Sequence, residues 1–249
     1  MIEADCLEVA QTLSAAGLSV ATLNMASGRN PGGGVSRGAG AQEENVFRRS
    51  TLLYSLYQYV PYADEYGVPE AAGQRYPIGR ASGAIHTPGT LVFRSSEATG
   101  YAFLRRPQAV SILSVRAISS PPTIQRGRAL WLTDEAAAAT RLKIRAMLRV
   151  GAHHGHDGLV LSAFGCGAFR NPPHHVARLF VEVLSEPEFS GVFRAVTFAI
   201  LDDHNAPTPL LHRGDRRRPR PPRASRVPAT SRSVKRSTAP EHHQEREHA

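Results

Sequence analysis

Cysteine is scarce: the chain has 249 residues and two cysteines, Cys6 and Cys166, far apart and at no zinc or disulfide spacing. That argues against a disulfide-stapled secreted scaffold and for a reducing compartment. No apolar run approaches the ~18 residues of a membrane-spanning helix, and the opening residues lack the basic-then-apolar order of a secretion signal. A Gly-Lys-Ser/Thr phosphate loop is also missing. The nearest thing to a dinucleotide fingerprint, Gly165-Cys166-Gly167-Ala168-Phe169-Arg170, has Arg170 in the place of the third glycine. Nucleoside triphosphatases and nicotinamide enzymes are therefore poor candidates. The expectation is an intracellular protein, cytoplasmic or nuclear, with no membrane partner.

Residues 1–205 lack a charge excess. Of 30 basic and 21 acidic residues, eleven and four fall in residues 206–249, which leaves nineteen against seventeen and a net charge of +2 for the rest. The pI of about 10.2 is thus a property of the tail. That tail has seven prolines, no aromatic residue and only Leu210, Leu211, Val227 and Val234 as large aliphatics. It cannot bury enough to offset its ordering entropy, so a disordered basic tail is expected over 206–249, with a net charge of +7 that attracts polyanions. Residues 1–205 suit one domain with a sizeable interior.

Within that domain, apolar periodicity predicts a helix over residues 2–16, closed by Gly17, and a buried strand over 18–26. Val46, Leu53, Leu56 and Val60 predict one helix from Gln42 until Pro61. Residues 62–82 show no periodicity and are expected to form a loop beside the site. Strands are expected over 84–86, 90–94 and 109–117. Thr133, Asp134 and Glu135 look like a helix cap and first turn, and residues 158–164 form a short apolar strand. Asn171 is expected to cap the helix that carries Val176, Leu179, Phe180 and Val183, with proline at its first positions. A last strand is expected over 194–201. Strands alternating with helices predict a mixed α/β sheet covered on both faces.

The chain is organised around residues 24–49: a strand end, a glycine-rich loop, then a helix opening with acids. Asn30-Pro31-Gly32-Gly33-Gly34 is followed, after seven intervening residues, by Gln42-Glu43-Glu44. Glycines let backbone approach a ligand and turn N–H groups onto an anion, and a helix N-terminus adds its own donors. Two carboxylates beside a phosphate site point to a phosphate-sugar enzyme. First-turn acids favoured by the helix dipole would explain the glutamates, but not Gln42 or the triple glycine.

This pattern resembles the signature of poly(ADP-ribose) glycohydrolases, and its wording is similar to the microbial type, which is built on a macrodomain. The resemblance implies a macrodomain-like three-layer α/β/α fold with a mixed sheet over residues 1–205. It also implies hydrolysis of ribose–ribose O-glycosidic bonds in poly(ADP-ribose), releasing ADP-ribose. Glu44 would be the general acid/base, Glu43 would anchor ribose hydroxyls and Gln42 would fix the geometry. Gly32, Gly33 and Gly34, with the second loop of Gly165, Cys166, Gly167, Ala168 and Phe169, would grip ADP-ribose, and Phe169 would pack on the terminal ribose. The alternative for Phe169 is core packing, and for the chain a non-catalytic ADP-ribose reader. Poly(ADP-ribose) or ADP-ribosylated proteins are the expected partners, with no cofactor and a monomeric state.

Adjacent helical residues project about a quarter-turn apart, so Glu43 and Glu44 are not expected to flank one bond. Cys166 in its Gly-Cys-Gly turn could present a thiolate with His174 or His175 as base, but a small buried cysteine is the commoner case. His153, His154, His156 and Asp157 cluster without a ligand spacing, so no bound metal is expected.

Overall fold

Asp5 sets the first element, because its Oδ1 accepts the N–H groups of Leu7 and Glu8, each at 3.0 Å. Helix α1 therefore runs Cys6–Ala15 rather than from residue 2. Ile2 instead joins the sheet margin, its N–H on the Phe198 carbonyl at 2.9 Å. The computed structural model describes residues 1–71, 76 and 82–201, all within one compact unit. The expected tail lies outside the described residues, as does much of the expected loop over 62–82.

Strand β1 (Val20–Met25) is the middle of a five-stranded sheet with β2 (Ile85–Arg94), β3 (Phe103–Val115), β6 (Gly158–Leu161) and β7 (Ala195–Phe198). The order is β2-β3-β1-β6-β7; β1 is parallel to β3 and β6, β7 is parallel to β6, and β2 is antiparallel to β3. Neighbouring residues of a strand serve opposite faces. Ile112 enters a core of Leu7, Val46, Leu52 and Leu56 from α1, α2 (Gln42–Arg49) and α3 (Leu52–Leu56). Leu113 enters the other core, with Ile144 and Met147 of α4 (Asp134–His153) and Leu179 and Phe180 of α5 (Pro173–Leu184). The mixed sheet is thus covered on both faces, as the three-layer reading requires. No helix among the described residues is long and apolar enough to cross a membrane.

Several elements depart from expectation. The helix after Gln42 breaks at Ser50, which is extended, bridges to Val92 and donates its hydroxyl to the Val46 carbonyl at 2.8 Å. Strand β2 is continuous through Pro88-Gly89 because the register shifts there as a bulge. A hairpin of β4 (Thr123–Arg126), exposed throughout, and β5 (Ala129–Leu132), which ends in the buried Leu132, was not expected. The cap on α4 is as expected: Thr133 accepts the N–H of Ala136 at 3.3 Å. Proline does open α5, but the N-cap position is Pro172 and Asn171 makes no capping bond. Helix α4 is clamped to the α5 region by Arg141 on Glu182, Arg145 on Glu186 and Arg149 on Glu188.

Candidate active site

Parallel strands β1 and β6 each run into a glycine-rich loop and then a helix, the place where open α/β sheets bind ligands. A cleft of about 660 Å³ lies between the two loops. Its walls include Ser27, Gly33, Gly34, Glu43 and Glu44 from one side and Gly165, Gly167, Ala168 and Phe169 from the other.

Helix α2 is bound to the strand and loop before it through its own first three side chains. Gln42 Oε1 accepts the Met25 N–H at 2.9 Å, and its Nε2 donates to the Leu23 carbonyl at 2.6 Å. Glu43 accepts from Ser27 N–H at 2.6 Å with one oxygen and from Gly32 N–H at 3.1 Å with the other. Glu44 Oε1 accepts the Gly34 N–H at 2.7 Å, and its buried Oε2 has no partner among the described residues. The remaining glycine N–H, that of Gly33, goes to the Asn30 carbonyl at 2.9 Å.

All three glycine N–H groups are therefore committed inside the loop. Two of them, those of Gly32 and Gly34, orient the glutamates. Gly33 has φ +59°, and a Cβ there would overlap the Glu44 carboxylate and come within 3.2 Å of Glu43 Oε2. Both carboxylates thus reach Gly33, although adjacent helical residues project about a quarter-turn apart. Burial pushes Glu43 up to about 7, against the two backbone N–H groups that hold it down.

The second loop is stapled differently. Asn171 Nδ2 donates to the carbonyls of Ile118 at 2.8 Å, Gly165 at 3.0 Å and Phe169 at 3.3 Å. With Asn171 holding carbonyls, the N–H groups of Gly167, Ala168 and Phe169 have no acceptor among the described residues. Unspent donors in a tight turn make an anion site.

Cys166 departs from its expected place at the ligand. Its thiol lies in the core, donates to the Phe164 carbonyl at 3.6 Å and is pushed up to about 12 by burial. That removes the thiolate rival. Its candidate bases face elsewhere: His175 Nδ1 accepts the Leu132 N–H at 3.0 Å, and both His174 and His175 pack on Trp131.

The histidine cluster fastens elements together. His156 lies 3.1 Å from Ser19 Oγ and 3.0 Å from His86 Nε2, while His154 stacks on His86 at 3.8 Å. Asp157 accepts from Ser19 N–H at 2.7 Å and pairs with Arg194 at 3.0 Å. Burial and its two histidine neighbours lower His86 to about 4. Among the described residues, no group of three or more His, Cys, Asp or Glu could hold a metal ion.

The sequence profile described as "Microbial-type PARG, catalytic domain", where PARG is poly(ADP-ribose) glycohydrolase, matches residues 1–95. The poly(ADP-ribose) glycohydrolase of Thermomonospora curvata, solved with the inhibitor ADP-HPD, is 32% identical with a TM-score of 0.62, over 82% of this chain and 72% of that one. This chain belongs to the microbial-type poly(ADP-ribose) glycohydrolases. The Deinococcus radiodurans family member, solved with ADP-ribose, is 34% identical with a TM-score of 0.62, over 81% of this chain and 76% of that one. No curated protein matches the chain.

In this glycohydrolase-family chain the fold brings Glu43, Glu44, Gly33, Gly34, Gly165, Gly167, Ala168, Phe169 and Gln42 to one cleft. Gly32 and Cys166 stand behind it, Gly32 because a Cβ at that position would press on the Phe47 ring at 2.6 Å. Sequence reasoning missed Tyr76, whose hydroxyl donates to the Ser27 carbonyl at 2.6 Å. It also missed the buried pair Asp5–Arg49 at 2.6 Å. Neither has a motif; a buried arginine in an amphipathic helix reads as surface until its partner is placed.

Proposed function

We propose that this chain hydrolyses the ribose–ribose O-glycosidic bond of poly(ADP-ribose) and releases ADP-ribose, with Glu44 as general acid/base. The observation that carries the reading is the Glu44 carboxylate. One of its oxygens is fixed by Gly34 N–H, the other has no partner among the described residues, and it stands across a cleft from backbone donors that have no acceptor among the described residues. A departing ribose oxygen needs a proton while the sugar ring becomes oxocarbenium-like, and a held carboxyl group meets both needs. The second loop takes the diphosphate, Phe169 sets the terminal ribose, and Glu43 holds the geometry of the first loop and meets ribose hydroxyls. The reaction needs no cofactor.

Residues 1–205 form the catalytic domain in this reading, acting inside the cell as a monomer on poly(ADP-ribose) or ADP-ribosylated proteins. Residues 206–249 add a basic arm for polyanions. Deleting them should weaken polymer capture at low salt and spare turnover; salt-independent capture in both forms would refute the arm. The reading as a whole is tested by incubating the purified chain with labelled polymer and resolving free ADP-ribose by chromatography. Release is expected. Tight ADP-ribose binding with no release at any enzyme concentration would make the chain a reader.

A further inference from the structure

Strands β2 and β3 extend past the cleft as a long hairpin, and its connection lies on the site. Ser96, Glu97 and Ala98 line the cleft, and Tyr101 beyond them is tied to helix α2, its hydroxyl accepting from Asn45 Nδ2 at 3.2 Å. Ser95 N–H donates to the Ala102 carbonyl at 2.9 Å, and the next pair out is Arg94 opposite Phe103. Arg94 is two residues from the cleft wall, about 7 Å along a strand.

That pair makes an unusual surface. Phe103 is 72% exposed, the most exposed large hydrophobic side chain among the described residues. The Arg94 guanidinium lies over its ring at 4.3 Å, and Phe93 stacks beside it at 6.2 Å with 23° between planes. Arg105 and Arg106 follow and are exposed. Among the described residues no ion pair engages Arg94, Arg105 or Arg106. A solvated aromatic ring layered with a guanidinium is a platform for a base, and exposed arginines two and three residues further along the same strand suit phosphate.

We infer that the β2–β3 hairpin is a second binding site for the polymer, one that stacks an adenine of a neighbouring ADP-ribose unit on Phe103 and holds diphosphate with Arg94, Arg105 and Arg106. The inference rests on the polymer reading proposed above. It is favoured over a protein partner or a second copy of this chain by charge complementarity: arginines with no ion pair among the described residues and an exposed aromatic ring fit a polyanion built of purines. The ridge contributes to the capture of chains longer than one unit and leaves a single ADP-ribose untouched.

The test uses the full chain carrying Glu44→Gln so that polymer persists, with fluorescent linear poly(ADP-ribose) of defined length and monomeric ADP-ribose as probes. Adding Phe103→Ala should weaken polymer binding about tenfold and leave ADP-ribose affinity within twofold. Arg105→Ala with Arg106→Ala should lower the slope of log affinity against log salt for polymer by about 1.4, at ~0.7 per lost phosphate contact. Unchanged polymer affinity and slope in both variants would overturn the ridge, as would an equal loss for monomer and polymer. A shift in oligomeric state with polymer affinity unchanged would make the patch a contact between copies and overturn it too. Failure of the unmodified chain to release ADP-ribose, with ridge-dependent polymer binding intact, would instead overturn the glycohydrolase reading alone.

Discussion

The two glycine loops look alike in sequence and leave equivalent strands, yet they use their backbone in opposite ways. The loop of Gly32, Gly33 and Gly34 spends every N–H inside itself, two of them on the glutamates of the helix that follows. The loop over residues 165–169 ties down its carbonyls through Asn171 and leaves the donors of Gly167, Ala168 and Phe169 without an acceptor among the described residues. A glycine cluster before a helix is therefore two different devices, and the side chain that arrives next decides which. Where carboxylates arrive, the loop aims them; where an amide donor arrives, the loop stays free for an anion.

The sharpest way to break this contrast is Glu44→Gln, which keeps the reach of the side chain and removes its proton chemistry. Turnover should fall ~10²–10⁴-fold, while ADP-ribose affinity measured by calorimetry stays within about tenfold because the anion donors are on the other loop. Near-native hydrolysis would move the acid elsewhere, and loss of binding would make Glu44 a ligand anchor.

Glu43 supplies the next effect. Unfolded it titrates near 4.5, and in the fold burial raises it to about 7, so the native state holds the proton more tightly. The resulting stabilisation is complete below pH 4.5 and is lost as pH rises to about 7, on the order of 3 kcal/mol. Denaturant unfolding of the native chain and of Glu43→Gln should diverge by that amount across the window. A constant difference would mean that Ser27 and Gly32 keep the carboxylate ionised throughout.

Paired glycine substitutions then separate aiming from gripping. Gly33→Ala puts a Cβ into the Glu44 carboxylate at φ +59°, so kcat should drop about 10-fold to 100-fold with ADP-ribose affinity little changed. Gly165→Ala meets Ala117 and Asn171 at 2.6 Å with φ +73° and should weaken ADP-ribose binding about tenfold instead. The same kinetic signature from both would erase the distinction. Smallest of all is Cys166→Ala, where kcat should stay within about threefold and stability fall by about 1 kcal/mol for the small cavity. A loss of activity matching that of Glu44→Gln would restore the thiol as nucleophile.

The long elements of this fold were legible because period decides them: the stripe of Val176, Leu179, Phe180 and Val183 sits in α5, and residues 158–161 are buried throughout. The hairpin of β4 and β5 was not legible, because β4 is exposed along its whole length and so carries no alternation. The break at Ser50 was hidden for a different reason. The apolar positions continue through it, and only a bridge from a strand 42 residues away interrupts the helix. At the site, the residue types and their spacing named the glutamates, but which donor meets which oxygen is a matter of tertiary distance that no spacing records. Asn171 shows the point: its type suggested a cap, and its position relative to Ile118, Gly165 and Phe169 made it a staple.

The buried pair of Asp5 and Arg49 bears on how the site comes apart. One oxygen of Asp5 holds the start of α1 and the other takes Arg49 from the end of α2, so neither helix can leave without stranding a charge in the interior. Among the described residues, the hairpin connection is attached to α2 by one hydrogen bond, from Asn45 to Tyr101. Amide exchange should reflect this hierarchy: the connection opens in small, frequent fluctuations, while α1 and α2 exchange together in one rare, sub-global event that carries the glutamates with them.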